Sequence, residues 1–405
     1  MRIAIVTPDY PPNPIGGAGI SCHLLVQQLR QRGVRVDVFA LAGKAQPEEG
    51  PPGTDFHLPR PRSLLRRNLA AAAAIQRSGQ RYDLVHVYEA SLLPAGRLIQ
   101  GLLRRRVPVL ATLNNLRAAC FAPELALKEQ CDCAPLLRSL GCVFANPEPS
   151  CRLRGLFYVW PTFHLARRFC RGLTHYIALS EDTRQRYIRA GFDAARITVV
   201  PNMYDPVHFA PRERQERPAD KLRVLCVGQI DHRKGVLDLV EAFARLPRDV
   251  RQQAELLFLG RGKEEPALRR LAGRLAIEEQ VQVRYVPYEE LPGEYEQAHI
   301  AAIPARWPEP FGRSKLEAMA FALPILTSDH GSAREILGDA ALYHRPFDLD
   351  DLAQKLRRLL TDGDLRRRLG EAGRERLSPY GPERVVRQAA ELYWQLTRAK
   401  PCHGG

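Results

Sequence analysis

The chain has 405 residues, 45% of them hydrophobic and 26% charged, which fits a soluble protein of two domains, each long enough to bury its own core. No apolar run approaches the roughly 18–20 residues that cross a bilayer, so a helical membrane span is excluded. Sixty Lys and Arg against 45 Asp and Glu leave a net charge of +15, yet no zinc-finger spacing or basic motif interleaved with aromatics accompanies it, and nucleic acid is not an expected partner.

In chain order, residues 2–7 read as a first strand. One Arg and the short run Ile3-Ala4-Ile5-Val6 before Thr7-Pro8-Asp9 make a buried strand rather than a signal peptide, and a cytoplasmic placement is the expectation. A Gly/Pro loop at 11–19 leads to helical spacing over 20–32 and a second strand at 34–40. Strand, glycine loop, helix, strand is the opening of a doubly wound α/β domain, with the loop at the carboxyl edge where ligands bind. The loop is not G-x-G-x-x-G, so a nicotinamide cofactor is not supported. Residues 43–60 read as loop. Further strands are expected at 83–88, 109–113, 175–179 and 197–200, with helical stretches between them.

The excess positive charge is clustered in this half: Arg62, Arg66 and Arg67, then Arg104-Arg105-Arg106, then Arg167, Arg168 and Arg171. Such a surface suits an anionic lipid face or a phosphorylated substrate, or is simply solvated. Cys120, Cys131, Cys133, Cys142 and Cys151 fall close together in a loop-rich insertion at about 117–160. In a cytoplasmic chain such a cluster suggests a structural zinc more than disulfides, and reduced thiols are the alternative, because the spacing forms no clean pair of C-x-x-C knuckles.

Residues 203–220 are polar, carry Pro206, Pro211 and Pro218, and read as an interdomain linker. The pattern then restarts with a strand at 222–227, a loop at 228–235, a helix at 236–246, and strands at 256–259, 281–286 and 301–303. This gives domains at 1–202 and 221–380, and a long final helix within 381–405 able to pack back on either of them.

Between 307 and 317 runs Trp-Pro-Glu-Pro-Phe-Gly-Arg-Ser-Lys-Leu-Glu. Pro308 and Pro310 keep Glu309 outside any helix, and Gly312 permits a backbone geometry or close approach that a Cβ blocks. From about Arg313 the spacing is helical, so Glu309 lies on a loop and Glu317 about a turn into a helix, with free N–H groups between them. Carboxylates accept from hydroxyls and a helix N-terminus accepts an anion, which suits a phosphorylated, polyhydroxylated ligand. The competing reading is a capping box from Ser314 to Glu317, in which Glu317 only ties down the helix start.

Several stretches together resemble the retaining GT-B-fold glycosyltransferases of family 4, over nearly the whole chain. Residues 309–320, E-P-F-G-R-S-K-L-E-A-M-A, are similar to that family's motif of two glutamates with seven residues between them. Residues 227–235, V-G-Q-I-D-H-R-K-G, resemble its phosphate-binding loop, and Val199-Val200-Pro201-Asn202 and Ile177-Ala178-Leu179-Ser180 the end of its N-terminal domain. The resemblance implies two facing Rossmann-like domains with a nucleotide sugar in the cleft, retention of anomeric configuration, and no metal required for catalysis. It implies Glu309 on the hydroxyls of the transferred sugar, Glu317 on the ribose, and Lys234 on the diphosphate. Gly16, Gly17 and the amides of Gly312, Arg313 and Ser314 add donors beside Phe311, while Val286 and Tyr288 fall where the base is held, or are simple strand-end packing.

Two positions depart from the family pattern. Gln229 stands where an Arg usually pairs with the Lys, leaving Arg233 as the neighbour able to reach in. Asn114 stands where a His usually faces sugar and acceptor, and Asn cannot act as a general base. His86 and His175 lie in strands and read as packing residues. The acceptor implied is a glycan or lipid-linked molecule, with the basic half resting on the inner membrane face. The alternatives are a weak or inactive nucleotide-sugar-binding protein, and an epimerase or phosphorylase on the same fold.

Overall fold

A computed structural model of the protein describes residues 1–12, 16–41, 55–58, 63–103, 107–120, 156–157, 160–212 and 221–398. The described residues form two units. The first takes the chain up to Asn202 together with the helix Pro382–Arg398, and the second runs from Met203 to Gly381.

The first unit is built on a parallel sheet of β1 (Arg2–Thr7), β2 (Arg35–Ala40), β3 (Asp55–His57), β4 (Leu84–Val87), β5 (Val109–Leu113), β6 (His175–Ala178) and β7 (Ile197–Val199), in the order β3-β2-β1-β4-β5-β6-β7. Ile3 through Val6 are fully buried, because helices cover both faces of a parallel sheet and its central strands must be apolar on both sides. The stretch 43–60, expected as loop, contains a strand. Asp55–His57 pairs in parallel with Val38–Ala40, and three half-buried edge residues are too few to show a period-two pattern.

The final helix belongs to this unit, lying against β4 and the helix Gly17–Gln31. Its Tyr393 hydroxyl is 2.8 Å from Nδ1 of His86, whose Nε2 is 2.7 Å from the Thr112 hydroxyl. Burial drives the His86 pKa down to about 3, so the ring is neutral and packed. His175 is likewise held low, to about 4, first by burial and then by Arg196, and bonds Thr198.

The second unit has β8 (Leu222–Val227), β9 (Ala254–Leu259), β10 (Val281–Arg284), β11 (Ile300–Ile303), β12 (Ile325–Ser328) and β13 (Ala341–His344), all parallel, in the order β10-β9-β8-β11-β12-β13. The strand expected to reach 286 stops at Arg284, since Tyr285 turns out to solvent and Pro287 opens a 3-10 turn, Tyr288–Glu290. Over its described part the stretch expected as a linker, 203–220, is packed: Phe209 is fully buried against the rings of Tyr288, Tyr295 and Phe321. Residues 213–220 lie outside the described residues. No described helix is long and apolar enough to cross a membrane.

Candidate functional site

In the second unit the strand order runs outward in opposite directions from β8 and β11, and the crevice outside their carboxyl ends is where open α/β sheets bind ligands. A pocket opens there, lined by Gly228, Gln229, Ile230 and Lys234 after β8 and by Ile303 at the end of β11 and Pro304 just past it. The loop after β8 closes in a short turn, His232–Lys234, whose start is capped by the Asp231 carboxylate accepting from the Arg233 amide. Gly235 ends the turn at φ +64° and lies so close to the Pro304 carbonyl that no Cβ fits between them. Backbone contact thus fixes where the main chain of this turn sits.

Glu309 enters from the loop after β11 and is 4% exposed. Both its oxygens are taken: Oε1 accepts from Lys234 Nζ at 2.5 Å and Oε2 from Lys315 Nζ at 2.8 Å. The Lys315 ammonium also donates to the Phe311 carbonyl at 2.9 Å. Ser332 steadies the same loop, its hydroxyl 3.1 and 3.0 Å from the carbonyl oxygens of Glu309 and Phe311. Burial alone would raise the Glu309 pKa, but the two ammonium groups override it and hold the carboxyl well below its ordinary range. Lys234 is opposed by burial in the same way, and Glu309 more than restores it, raising its pKa. Glu309 is an ionised carboxylate between two cations.

The helix Arg313–Ala320 starts at Gly312, which has φ +82° and no side-chain cap. The capping box from Ser314 to Glu317 therefore does not form. Glu317, 6% exposed, instead accepts from the Tyr295 hydroxyl at 2.9 Å and pairs with Arg313 at 3.5 Å. Burial raises the Glu317 pKa against the opposing pull of Arg313 and Tyr295. Arg313 donates to the Tyr288 hydroxyl at 2.9 Å, and that hydroxyl lies 3.3 Å from Asp205. Burial holds the Tyr288 hydroxyl protonated.

One unit therefore gathers Glu309, Lys234, Gln229, Arg233, Phe311, Gly312, Arg313, Ser314, Glu317, Val286 and Tyr288. Phe311 is buried against Tyr380, and Val286 is half-buried just past β10. The Arg233 guanidinium pairs with Asp231 at 2.5 Å, lies over the Trp307 ring, and reaches Gln229 Oε1 at 3.4 Å. Gly16, at the start of the first helix with open space around it, Gly17, and Asn114, whose Oδ1 accepts from Ala90 N–H, belong to the first unit.

Of the cysteine cluster, Cys131, Cys133, Cys142 and Cys151 lie outside the described residues. Cys120 is half-buried and packs on the first core. Lys315 was not predictable as a site residue. Its only local sign is a Lys at the third position of the helix, and its partner is set by the turn at Gly312.

Two family models match consecutive stretches that together span most of the chain: the one described as Glycosyltransferase Family 4 over residues 15–208, and the one described as Glycosyl transferases group 1 over residues 209–376. The chain belongs to this glycosyltransferase family. A similar relative of this glycosyltransferase is the glycogen synthase of Mycobacterium tuberculosis, 26% identical over 99% of the chain and 96% of its own length. Among solved structures, the sucrose-phosphate synthase of Thermosynechococcus elongatus superposes with a TM-score of 0.74 at 24% identity, covering 98% of this chain and 99% of that one. Anabaena HepE in complex with UDP-glucose gives 0.73 at 17% identity, covering 98% and 100%. Two parallel sheets with their helices, matching these neighbours over their full length, make the fold GT-B.

Proposed function

We propose that this glycosyltransferase takes its sugar from a nucleotide-sugar donor and passes it, with retention of configuration, to a hydroxyl of a glycan or lipid-linked acceptor. The observation that carries the reading is Glu309, a buried carboxylate held by two lysines at the switch point of the second sheet. Two ammonium groups against one carboxylate leave a surplus positive charge, which a diphosphate neutralises. A diphosphate leaving group is helped most by cations aimed at the charge that develops as it departs.

In this reading Lys234 meets the diphosphate, aided by the N–H groups of Gly312, Arg313 and Ser314. Glu309 accepts from hydroxyls of the donor sugar, and Glu317 from the ribose through lone pairs that Tyr295 and Arg313 leave free. Gln229 and Arg233 border the phosphates, Val286 and Tyr288 the base, and Gly16 and Gly17 supply further donors. The C1–phosphate bond breaks as the acceptor oxygen bonds C1 on the same face, and the acceptor proton passes to the leaving phosphate oxygen. That route needs no base at Asn114 and no bound metal.

UDP, GDP and ADP added to the purified chain, followed by thermal unfolding and calorimetry, test the donor site. A ligand at a hundred times its Kd stabilises by about 2.7 kcal/mol. Glu309→Gln should cut sugar transfer about 100-fold or more while changing nucleoside diphosphate affinity little, and Lys234→Ala should weaken both. Intact turnover in Glu309→Gln overturns the assignment of Glu309. Full binding with no transfer to any acceptor favours the binding-protein alternative and directs attention to Gln229 and Asn114.

A further inference from the structure

Lys234 and Lys315 hold the same carboxylate but are not equivalent. The Lys234 side chain is 27% exposed and lines the pocket, so its ammonium is free to swing toward an arriving anion. The Lys315 side chain is 2% exposed, and its ammonium is bonded twice inside one turn, to Glu309 Oε2 and to the Phe311 carbonyl. Room for that ammonium exists because residue 312 is glycine: a Cβ there would press on both Lys315 Nζ and Glu309 Oε2. Among the described residues, the ion pairs of both lysines are with Glu309.

A carboxylate with this little exposure cannot stay charged once its counter-charge leaves, because an unpaired buried ion costs several kcal/mol and is relieved by taking a proton. If Lys234 were its only partner, binding a diphosphate would strip Glu309 of the charge it needs to accept from a sugar hydroxyl. From this geometry we infer that Lys315 is the positioning residue of the site: it stays on Oε2 when Lys234 turns to the diphosphate, and leaves Oε1 ionised and open toward the donor sugar. The inference rests on the donor site proposed above. It assigns the two lysines opposite tasks, Lys234 as the mobile cation of the ligand and Lys315 as the fixed cation of Glu309.

A double-mutant cycle in the full chain tests it, using Lys315→Met, Lys315→Arg, Glu309→Gln and Glu309→Gln/Lys315→Met. Each is measured for melting temperature, for affinity toward the nucleoside diphosphate that the wild type takes from UDP, GDP and ADP, and for kcat and KM of transfer. Lys315→Met should lower kcat by about 100-fold and change diphosphate affinity by less than about threefold, and Lys315→Arg should recover part of kcat. In the Glu309→Gln background, Lys315→Met should cost less than about threefold more, because the group it positions is already lost.

Should Lys315→Met fold poorly, the step from Glu309→Gln to the double variant still tests the inference, since both carry the same loss at Lys234 and a further fall in kcat well beyond threefold overturns it. Additive losses, an unchanged kcat in Lys315→Met, or a diphosphate affinity that falls with kcat each overturn the inference. A wild-type chain that takes none of the three nucleotides overturns the donor site itself.

Discussion

At the scale of single residues, two glycines test separate parts of the site. Gly235 and Gly312 both have positive φ, which costs an L-residue roughly 1–2 kcal/mol. At Gly235 the obstacle to a Cβ is the Pro304 carbonyl, a backbone atom in an adjoining strand end that cannot yield. Gly235→Ala should therefore destabilise the fold by roughly 3 kcal/mol or more, strain and overpacking together, as read by urea unfolding. At Gly312 the obstacles are the flexible ends of Lys315 and Glu309. Gly312→Ala should cost only about half as much stability yet lose most sugar transfer, since the two charged ends must part. Equal stability losses, or full turnover in Gly312→Ala, contradict the arrangement described for Glu309. Glu309 was readable as a candidate because its residue type and neighbours suit the chemistry, and Lys234 through the resemblance of its loop to the family's phosphate-binding loop. The partner of Lys315 was not, since the bond depends on a turn whose shape one positive φ decides.

Among the elements, the helix Pro382–Arg398 shows how a distant segment completes a core. Its Tyr393 is fully buried and its hydroxyl meets His86, 307 residues earlier. Tyr393→Phe keeps the ring and leaves the His86 Nδ1 without this partner, so unfolding should become easier by about 1–3 kcal/mol. The His86 pKa is lowered by burial to about 3, against about 6.5 in an unfolded chain. Between those values the unfolded chain binds a proton that the folded chain refuses. Stability from this group is complete above about pH 6.5 and is lost progressively as pH falls toward 3, and His175 acts in the same direction down to about 4. Denaturant midpoints should thus fall on acidification from pH 7 to pH 5. A midpoint that rises over that interval would contradict a neutral, buried His86. The helix itself was legible in sequence as a long final helix. Which unit receives it was open in sequence, because amphipathicity says which face is buried and not against what.

For the molecule as a whole, charge and exposed apolar surface bear on where the acceptor is met. The helices Leu64–Arg77, Leu93–Leu102 and Trp160–Cys170 pack side by side in the first unit. They expose Leu65, Leu69, Leu102, Leu165 and Phe169 beside Arg66 and Arg168. With a net charge of +15, such a face suits an anionic bilayer, at about 1 kcal/mol per basic side chain at the surface. Sedimentation with phosphatidylglycerol vesicles should pull down the chain at low salt and less so above about 0.3 M, while phosphatidylcholine vesicles should not. Equal binding to both, or none to either, removes the membrane from the proposal. The sequence by itself determined the parallel α/β class, the two strand–loop–helix starts and the motif around Glu309, because buried parallel strands need continuous apolar runs and tight turns need glycine and proline. It also carried the family, through the order of its motifs. Only the tertiary structure decided the rest: the edge strand Asp55–His57, the packing of Phe209 in the supposed linker, the Tyr295–Glu317 bond in place of a capping box, and the second lysine on Glu309. These depend on partners brought together by folding, and a side chain's charge state and reach follow from what surrounds it in space.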